Sequence, residues 1–473
     1  MKKVILLLLT NFSLFGQVLE RITPINATNV YSFGTGISHF NNDFIIGGYD
    51  GLLSTANFGY YVFEKTTNGY VQNQIIMSPE IGENFGTSLD LKNDFLFIGC
   101  PTNSSIIANG GAVYVYKKTA GVFNYLTKIQ PSNLSADDQF GTYVHFYNNQ
   151  LFIGTINHDS NGNASDNNGA IYIFDKNGDS FTLNQILSVN NNKYLGQFID
   201  IENDFMICTN INTTNNETKV LSYQKVNNSW NLINEFNVGN LGENRNLKVN
   251  YSNNQLYVSR DGFPDSNPNT RGIEIYNFQG NNWAYQTILN HAVGDYTQAS
   301  INVENNIMII SSLGFYILQM ERKNMALYYK RINNDWTLMN TVIGQSFVNN
   351  DNFGNLNKIQ GNVIVFGNSQ EIWGSPFGTI NGGAYSLDTT LETQSFELSK
   401  ITFLPNPVLE ILHLENPNNL EIKNITIMDT NGRILYSNPS LSSIDFSGFP
   451  SGIYFVKANF ENGNFITKKI VKN

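Results

Sequence analysis

Cysteine is nearly missing from this chain: Cys100 and Cys208 are the only two among 473 residues. A disulfide framework is therefore excluded, and the pair is expected as two buried thiols. Charge is also sparse, at 14% of residues with a formal net charge of −10. Residues 401–473 hold six Lys or Arg against six Asp or Glu, and Lys2 and Lys3 add +2 at the start, so the middle of the chain carries −12. An acidic body lacks the cationic surface that neutralises phosphates, which argues against nucleic acid as a partner. No stretch reaches the 18 or so apolar residues of a membrane helix, so no transmembrane segment is expected in the mature form. Gly-x-Ser-x-Gly, His-Glu-x-x-His and phosphate-binding glycine loops are all missing. The five histidines, His39, His145, His158, His291 and His413, show no metal-ligand spacing.

What the chain has in abundance is self-similarity. One unit runs Phe85-Gly86-Thr87-Ser88, Asp94-Phe95-Leu96-Phe97-Ile98-Gly99, Gly110-Gly111-Ala112-Val113-Tyr114-Val115-Tyr116 and Phe123-Asn124-Tyr125-Leu126. The next repeats it with Phe140-Gly141-Thr142, Leu151-Phe152-Ile153-Gly154, Gly169-Ala170-Ile171-Tyr172-Ile173-Phe174 and Phe181-Thr182-Leu183. Gly86, Gly141 and Gly196 are spaced by 55 residues each. Weaker copies start at Phe33-Gly34 and Leu195-Gly196, persist without the glycine through Gln255-Leu256-Tyr257-Val258 and Ile307-Met308-Ile309-Ile310, and recover at Phe353-Gly354. Seven units result.

Each unit holds four short β-branched and aromatic runs separated by Gly, Asn and Asp, the pattern of strands joined by turns. Several runs are apolar on both alternating faces, so each sheet needs cover on both sides, and stacking around an axis provides it. The fold expected is all-β: a seven-bladed β-propeller followed by a small C-terminal β-sandwich. Gly86 and Gly141 fall where an innermost strand begins, and the repeated aromatics are expected to pack between blades. Residues 17–25 read like the fourth strand of a unit but precede the first Phe-Gly, so they are expected to complete the last blade. The Phe-Gly opening, the Ile-Gly end and the Gly-Ala-Val-Tyr run together resemble the FG-GAP family of propeller repeats over roughly residues 30–388. That resemblance implies an interaction scaffold.

The ends of the chain read as an address. Lys2 and Lys3, an apolar run over residues 4–9 and the close at Phe15-Gly16-Gln17 have the parts of a secretory signal peptide. No cysteine follows, which excludes a lipoprotein signal. At the other end stand Pro405-Asn406-Pro407, Asp429-Thr430-Asn431-Gly432-Arg433, Gly452-Ile453-Tyr454-Phe455 and Lys468-Lys469-Ile470-Val471. Asn431-Gly432 is a hairpin turn signal, and Pro405 and Pro407 are expected to lead stiffly into the first strand. This order of elements resembles the type A C-terminal sorting domain of the type IX secretion system. The resemblance implies recognition by the type IX secretion machinery, removal of the domain, and a protein secreted from or held at the outer-membrane surface of a Gram-negative bacterium. The organisation expected is a signal peptide at 1–16, a propeller at 17–388, a linker at 389–400 and a sorting domain at 401–473.

Within the propeller, Asp159, Asn161, Asn163 and Asp166 alternate oxygen side chains in a tight polar loop. Such a loop either converges on Ca²⁺ or is a plain Asn-rich hairpin turn. It is similar to the calcium loops of FG-GAP repeats, although Asn161, Asn163 and Ala164 reduce its charge and it sits between the second and third strands. Calcium is the only cofactor the sequence offers. Long dissimilar loops at 102–108, 261–270 and 367–379, the last with Trp373 and Phe377, are expected to carry binding. Two functions fit: a binding or adhesion scaffold for an extracellular protein or polysaccharide, or an exported polysaccharide-degrading hydrolase or lyase.

Overall fold

The computed structural model describes residues 19–25, 30–50, 57–79, 85–159, 167–189, 192–212, 218–238, 248–260, 272–290, 297–317, 321–344, 352–354, 356–371, 382–389, 401–416, 421–430, 432–438, 443–460 and 465–473. Every regular element among them is a β-strand. The signal peptide at 1–16 and nearly all of the linker at 389–400 lie outside the described residues. The chain divides into two compact units, one spanning Leu19–Ser386 and one containing Leu387–Asn473.

The first unit holds seven antiparallel sheets among the described residues. In the second sheet the order is Ser88–Lys92, Phe95–Cys100, Ala112–Thr119 and Val122–Ile129. The third follows it with Phe140–Tyr147, Gln150–Thr155, Ala170–Asn177 and Ser180–Ser188. The second strand is buried along its whole length in both, because its two apolar faces meet different neighbours. One core cluster joins Phe97, Val113 and Val115 of the second sheet to Phe140, Phe146 and Tyr172 of the third. Comparable clusters join the third to the fourth, the fourth to the fifth and the fifth to the sixth.

The first strands, Ile37–Phe40, Ser88–Lys92, Phe140–Tyr147, Ile199–Glu202, Val249–Ser252, Thr297–Glu304 and Asn357–Gln360, each touch the next, and the last touches the first. The row is therefore a closed ring, which makes this unit a β-propeller. Closure is sealed at the rim. Glu20–Ile22 pairs with the strand Gly383–Asp388 in the register Glu20↔Ser386, Arg21↔Tyr385, Ile22↔Ala384. The N-terminal segment thus supplies the outer strand of the sheet built from the chain's last unit.

Glycine explains the 55-residue rhythm. Gly86 and Gly141 have φ of +91° and +94°, a region costly to any residue with a Cβ. A Cβ on Gly99 would lie 1.9 Å from the Gly141 carbonyl oxygen, one on Gly154 1.9 Å from that of Gly196, and one on Gly367 2.2 Å from that of Gly34. Thus the Ile-Gly end of one unit receives the Phe-Gly opening of the next. Parallel bridges from Gly111 to Phe140, Gly169 to Leu195 and Gly382 to Phe33 fasten the same joints.

The second unit contains two sheets. Thr402–Leu404, Ile411–Glu415 and Ser443–Asp445 form one, and Ile434–Asn438, Ile422–Met428, Gly452–Phe460 and Phe465–Lys472 form the other. Phe403, Leu412 and Ile444 from the first meet Ile425, Ile427, Val456 and Ile470 from the second in a common core, giving a β-sandwich. The two prolines correct an expectation: Pro405 and Pro407 follow the first strand instead of leading into it, and both are preceded by cis peptide bonds. With no N–H of their own, they flank a residue that takes over the pairing. Asn406 Nδ2 donates to the Lys469 carbonyl at 2.8 Å, and the Val471 N–H donates to Asn406 Oδ1 at 2.9 Å. At the hairpin, Gly432 has φ of +79°, its N–H donates to the Asp429 carbonyl, and the Asp429 carboxylate accepts from the Arg433 N–H at 3.0 Å. Tyr454 packs on Phe446 and Phe449 and donates its hydroxyl to the Pro450 carbonyl at 2.7 Å. Lys468 and Lys469 lie in the last strand, Lys469 exposed.

Candidate functional site at the axial mouth

The first strands line the propeller axis, and their registers align one position from every unit. That position is Ser38, Asp90, His145, Asp200, Asn250, Asn302 and Lys358 in turn, each lying opposite the third residue of its partner strand. All seven are polar. Most hold the neighbouring sheet: Ser38 Oγ accepts from the Leu91 N–H at 3.2 Å and Asp90 Oδ2 from the Phe146 N–H at 2.7 Å. Asp200 Oδ2 accepts from the Tyr251 N–H at 2.8 Å and from Asn250 Nδ2 at 3.0 Å, while Asn250 Oδ1 accepts from the Val303 N–H at 3.0 Å. The ring satisfies backbone donors that the strand edges facing the axis leave open.

Its electrostatics follow from burial. Asp200 is pushed up to about 6, chiefly because burial disfavours the carboxylate, with the Tyr251 N–H and Lys358 pulling the other way. Burial brings His145 down to about 4 although Asp90 Oδ2 lies 3.5 Å from its Nδ1. His39, stacked on Phe44, is lowered to about 3 by burial and then by Lys358. Both imidazoles are therefore neutral at pH 7.

At one mouth of this axis lies a cavity of about 430 Å³ bordered by inner-strand residues of most sheets. Its wall is rich in neutral hydroxyl and amide groups, among them Ser88, Thr142, Gln197, Thr209 and Asn210, and includes the aromatic pair Tyr143 and Phe198, whose ring centroids are 5.9 Å apart. Among the described residues of the wall Lys248 is the one that is charged, and none is a carboxylate or an imidazole. Asn210 is 1% exposed, and neither its amide oxygen nor its amide nitrogen has a partner among the described residues. A buried amide left open in this way costs about 1 to 3 kcal/mol.

Of the residues singled out from the sequence, Asp159 is described and its Oδ1 accepts the Asn167 N–H at 3.1 Å. Asn161, Asn163 and Asp166 lie outside the described residues, as do Trp373, Phe377, His291 and the 261–270 loop. Cys100 and Cys208 are thiols buried in different sheets, with no disulfide between them. His158 Nδ1 sits 3.1 Å from the buried carboxylate Oδ2 of Asp138, and His413 lies in the sandwich, so these two described histidines stand in different units. The sequence reading passed over the axial ring and the cavity. Their signal was present: each ring residue stands three places before a left-handed turn residue, Asn41, Asn93, Asn148, Asn203, Asn253, Asn305 or Gly361.

None of the curated proteins matches this sequence. Among solved structures, the chain is similar to a protein from Lactobacillus plantarum (10% identity, 67% of this chain and 86% of that one, TM-score 0.44). It is also similar to a putative 6-phosphogluconolactonase from Bacteroides uniformis (9%, 85% and 96%, TM-score 0.44), and to a periplasmic gluconolactonase of Pseudomonas aeruginosa (10%, 67% and 86%, TM-score 0.41). Among the described residues no helix is long and apolar enough to cross a membrane. Residues 402–473 match the family model of the secretion system C-terminal sorting domain, so the chain carries a type IX export address and is destined for the cell surface or the medium.

Proposed function

We propose that this protein is an exported binding scaffold: an FG-GAP-like propeller at 17–388, preceded by a signal peptide at 1–16 and joined by a linker at 389–400 to the sorting domain at 401–473. Its task is adhesion to, or capture of, an extracellular protein or polysaccharide. The observation that carries this reading is the chemistry of the axial cavity. Hydrolysis or elimination at a glycosidic bond needs a positioned acid and base, whereas the described residues of the wall offer hydroxyls, amides, an aromatic pair and one lysine. Asp90 and Asp200, the nearest carboxylates in the ring, are engaged in holding neighbouring backbone N–H groups. Such a wall suits recognition without turnover.

The test offers the purified protein to a panel of immobilised glycans and matrix proteins and records retention and product release together. Retention of a polymer that is recovered intact supports the scaffold. Release of shortened products, lost when the propeller is denatured, would replace it with the degrading enzyme.

A further inference from the structure

Part of the cavity wall comes from a joint where the glycine rhythm fails. In the second, third and seventh sheets, Gly99, Gly154 and Gly367 accept the backbone of the next unit at distances that leave no room for a Cβ. Strand register places Thr209 of the fourth sheet at the position of Gly154: His145 faces Phe152, two residues before Gly154, and Asp200 faces Ile207, two residues before Thr209. The fifth unit has lost its Phe-Gly as well, and Lys248 stands two residues before the ring position Asn250. Thr209, Asn210 and Lys248 all border the cavity. The open amide and the lysine of the wall thus come from one joint, between the fourth and fifth sheets.

Resting on the binding reading above, we infer that the joint between the fourth and fifth sheets is a subsite for an acidic sugar, with Lys248 reading the carboxylate of a uronic acid residue. Three observations set the class. Lys248 is exposed, and among the described residues it has no acidic partner and is the sole charge of the wall, in a body of net charge −12. The Asn210 amide, buried and open on both its oxygen and its nitrogen, together with the Thr209 hydroxyl, matches a ligand that both donates and accepts, as ring hydroxyls do. The rings of Tyr143 and Phe198 give an apolar surface of the kind a pyranose C–H face packs against. The volume of about 430 Å³ falls within the range of small-ligand sites.

Calorimetric titration of the full chain with trigalacturonate, its methyl ester and tri-glutamate separates the possibilities, because the ester keeps every ring and removes only the charge. The expected result is affinity at least tenfold higher for trigalacturonate than for the ester, with no binding of tri-glutamate. Lys248→Gln, at an exposed position, should keep the melting temperature and abolish the preference for acid over ester, whereas Phe198→Leu should weaken both sugars. Equal affinity for acid and ester, a preference that survives Lys248→Gln, equal binding of tri-glutamate, or no binding of any of the three would overturn the acidic-sugar subsite. Retention of some other polymer in the panel would leave the scaffold reading standing in each of these cases.

Discussion

Arg21 and Glu371 form an ion pair at 2.7 Å across nearly the whole length of the propeller chain. Arg21 belongs to the closing strand, while Glu371 is almost fully buried and also accepts from the Tyr385 hydroxyl at 2.7 Å. Removing the arginine strands a buried carboxylate with a reduced set of donors, at a cost of about 2 to 4 kcal/mol. Arg21→Ala should lower the melting temperature by several degrees, and deletion of residues 18–25 by more, since it also bares the edge of Gly383–Asp388. Calorimetric scans of both variants check this.

Glycine positions rank by what a Cβ would meet. Gly154→Ala would drive a methyl group into the Gly196 carbonyl at 1.9 Å, and the sheets must separate to accommodate it, costing about 3 kcal/mol or more. Gly121→Ala meets nothing within 4 Å, and only its φ of +86° penalises it, by about 1 kcal/mol. Denaturant midpoints should fall in that order, with Gly154→Ala far below Gly121→Ala.

Asp200 sets a pH dependence of defined sign. Its folded value, about 6, lies above the ordinary 3.8, so its neutral form is favoured; its contribution is fully present below pH 3.8 and is lost as pH rises through 6. His39 and His145, lowered by burial, act oppositely, losing stability as pH falls from 6.5 toward 4. Asp200→Asn keeps an oxygen to accept the Tyr251 N–H and removes the charge. The variant should melt a few degrees above the parent at pH 8 and lose that advantage near pH 4, as read from paired melting curves.

Calcium tests the 159–166 loop. Two carboxylates, Asp159 and Asp166, place such a site in the extracellular range of roughly 10⁻⁴ to 10⁻³ M, and calcium at a hundredfold excess over that constant adds about 2.7 kcal/mol to the folded state. The melting temperature should rise with calcium and the rise should vanish in the double variant Asp159→Ala with Asp166→Ala. Identical melts in calcium and in chelator would make the loop an Asn-rich turn.

Much of the fold was legible because each constraint had a local sign. Phe140-Gly141 and Ile153-Gly154 marked the joints, since only glycine permits the approach found there, and residues 17–25 betrayed the closing strand by reading as a fourth strand with no unit before it. Pro405 and Pro407 misled, because proline's fixed φ says nothing about which side of a strand it stands on. That was decided by Asn406 bonding to Lys469 and Val471 more than sixty residues away. The axial ring was legible only in retrospect: Ser38, Asp90, His145 and Lys358 share a distance from their turns, not a residue type. The cavity was hidden for a related reason. Part of its wall stands where the fourth and fifth units depart from the pattern, and a search for similarity passes over Thr209 and Lys248 as decay of that pattern.

Export is directed by the C-terminal sorting domain. Phe403, Leu412, Ile425 and Val456 give residues 401–473 a core of their own, and Phe97, Phe140 and Tyr172 belong to a separate one in the propeller, so the propeller is expected to fold without the sandwich. In cells expressing the chain without residues 401–473, fractionation and surface proteolysis should find a folded, protease-resistant propeller confined to the periplasm, with the full-length protein at the surface or in the medium. Truncated protein reaching the surface in normal amounts would contradict the account.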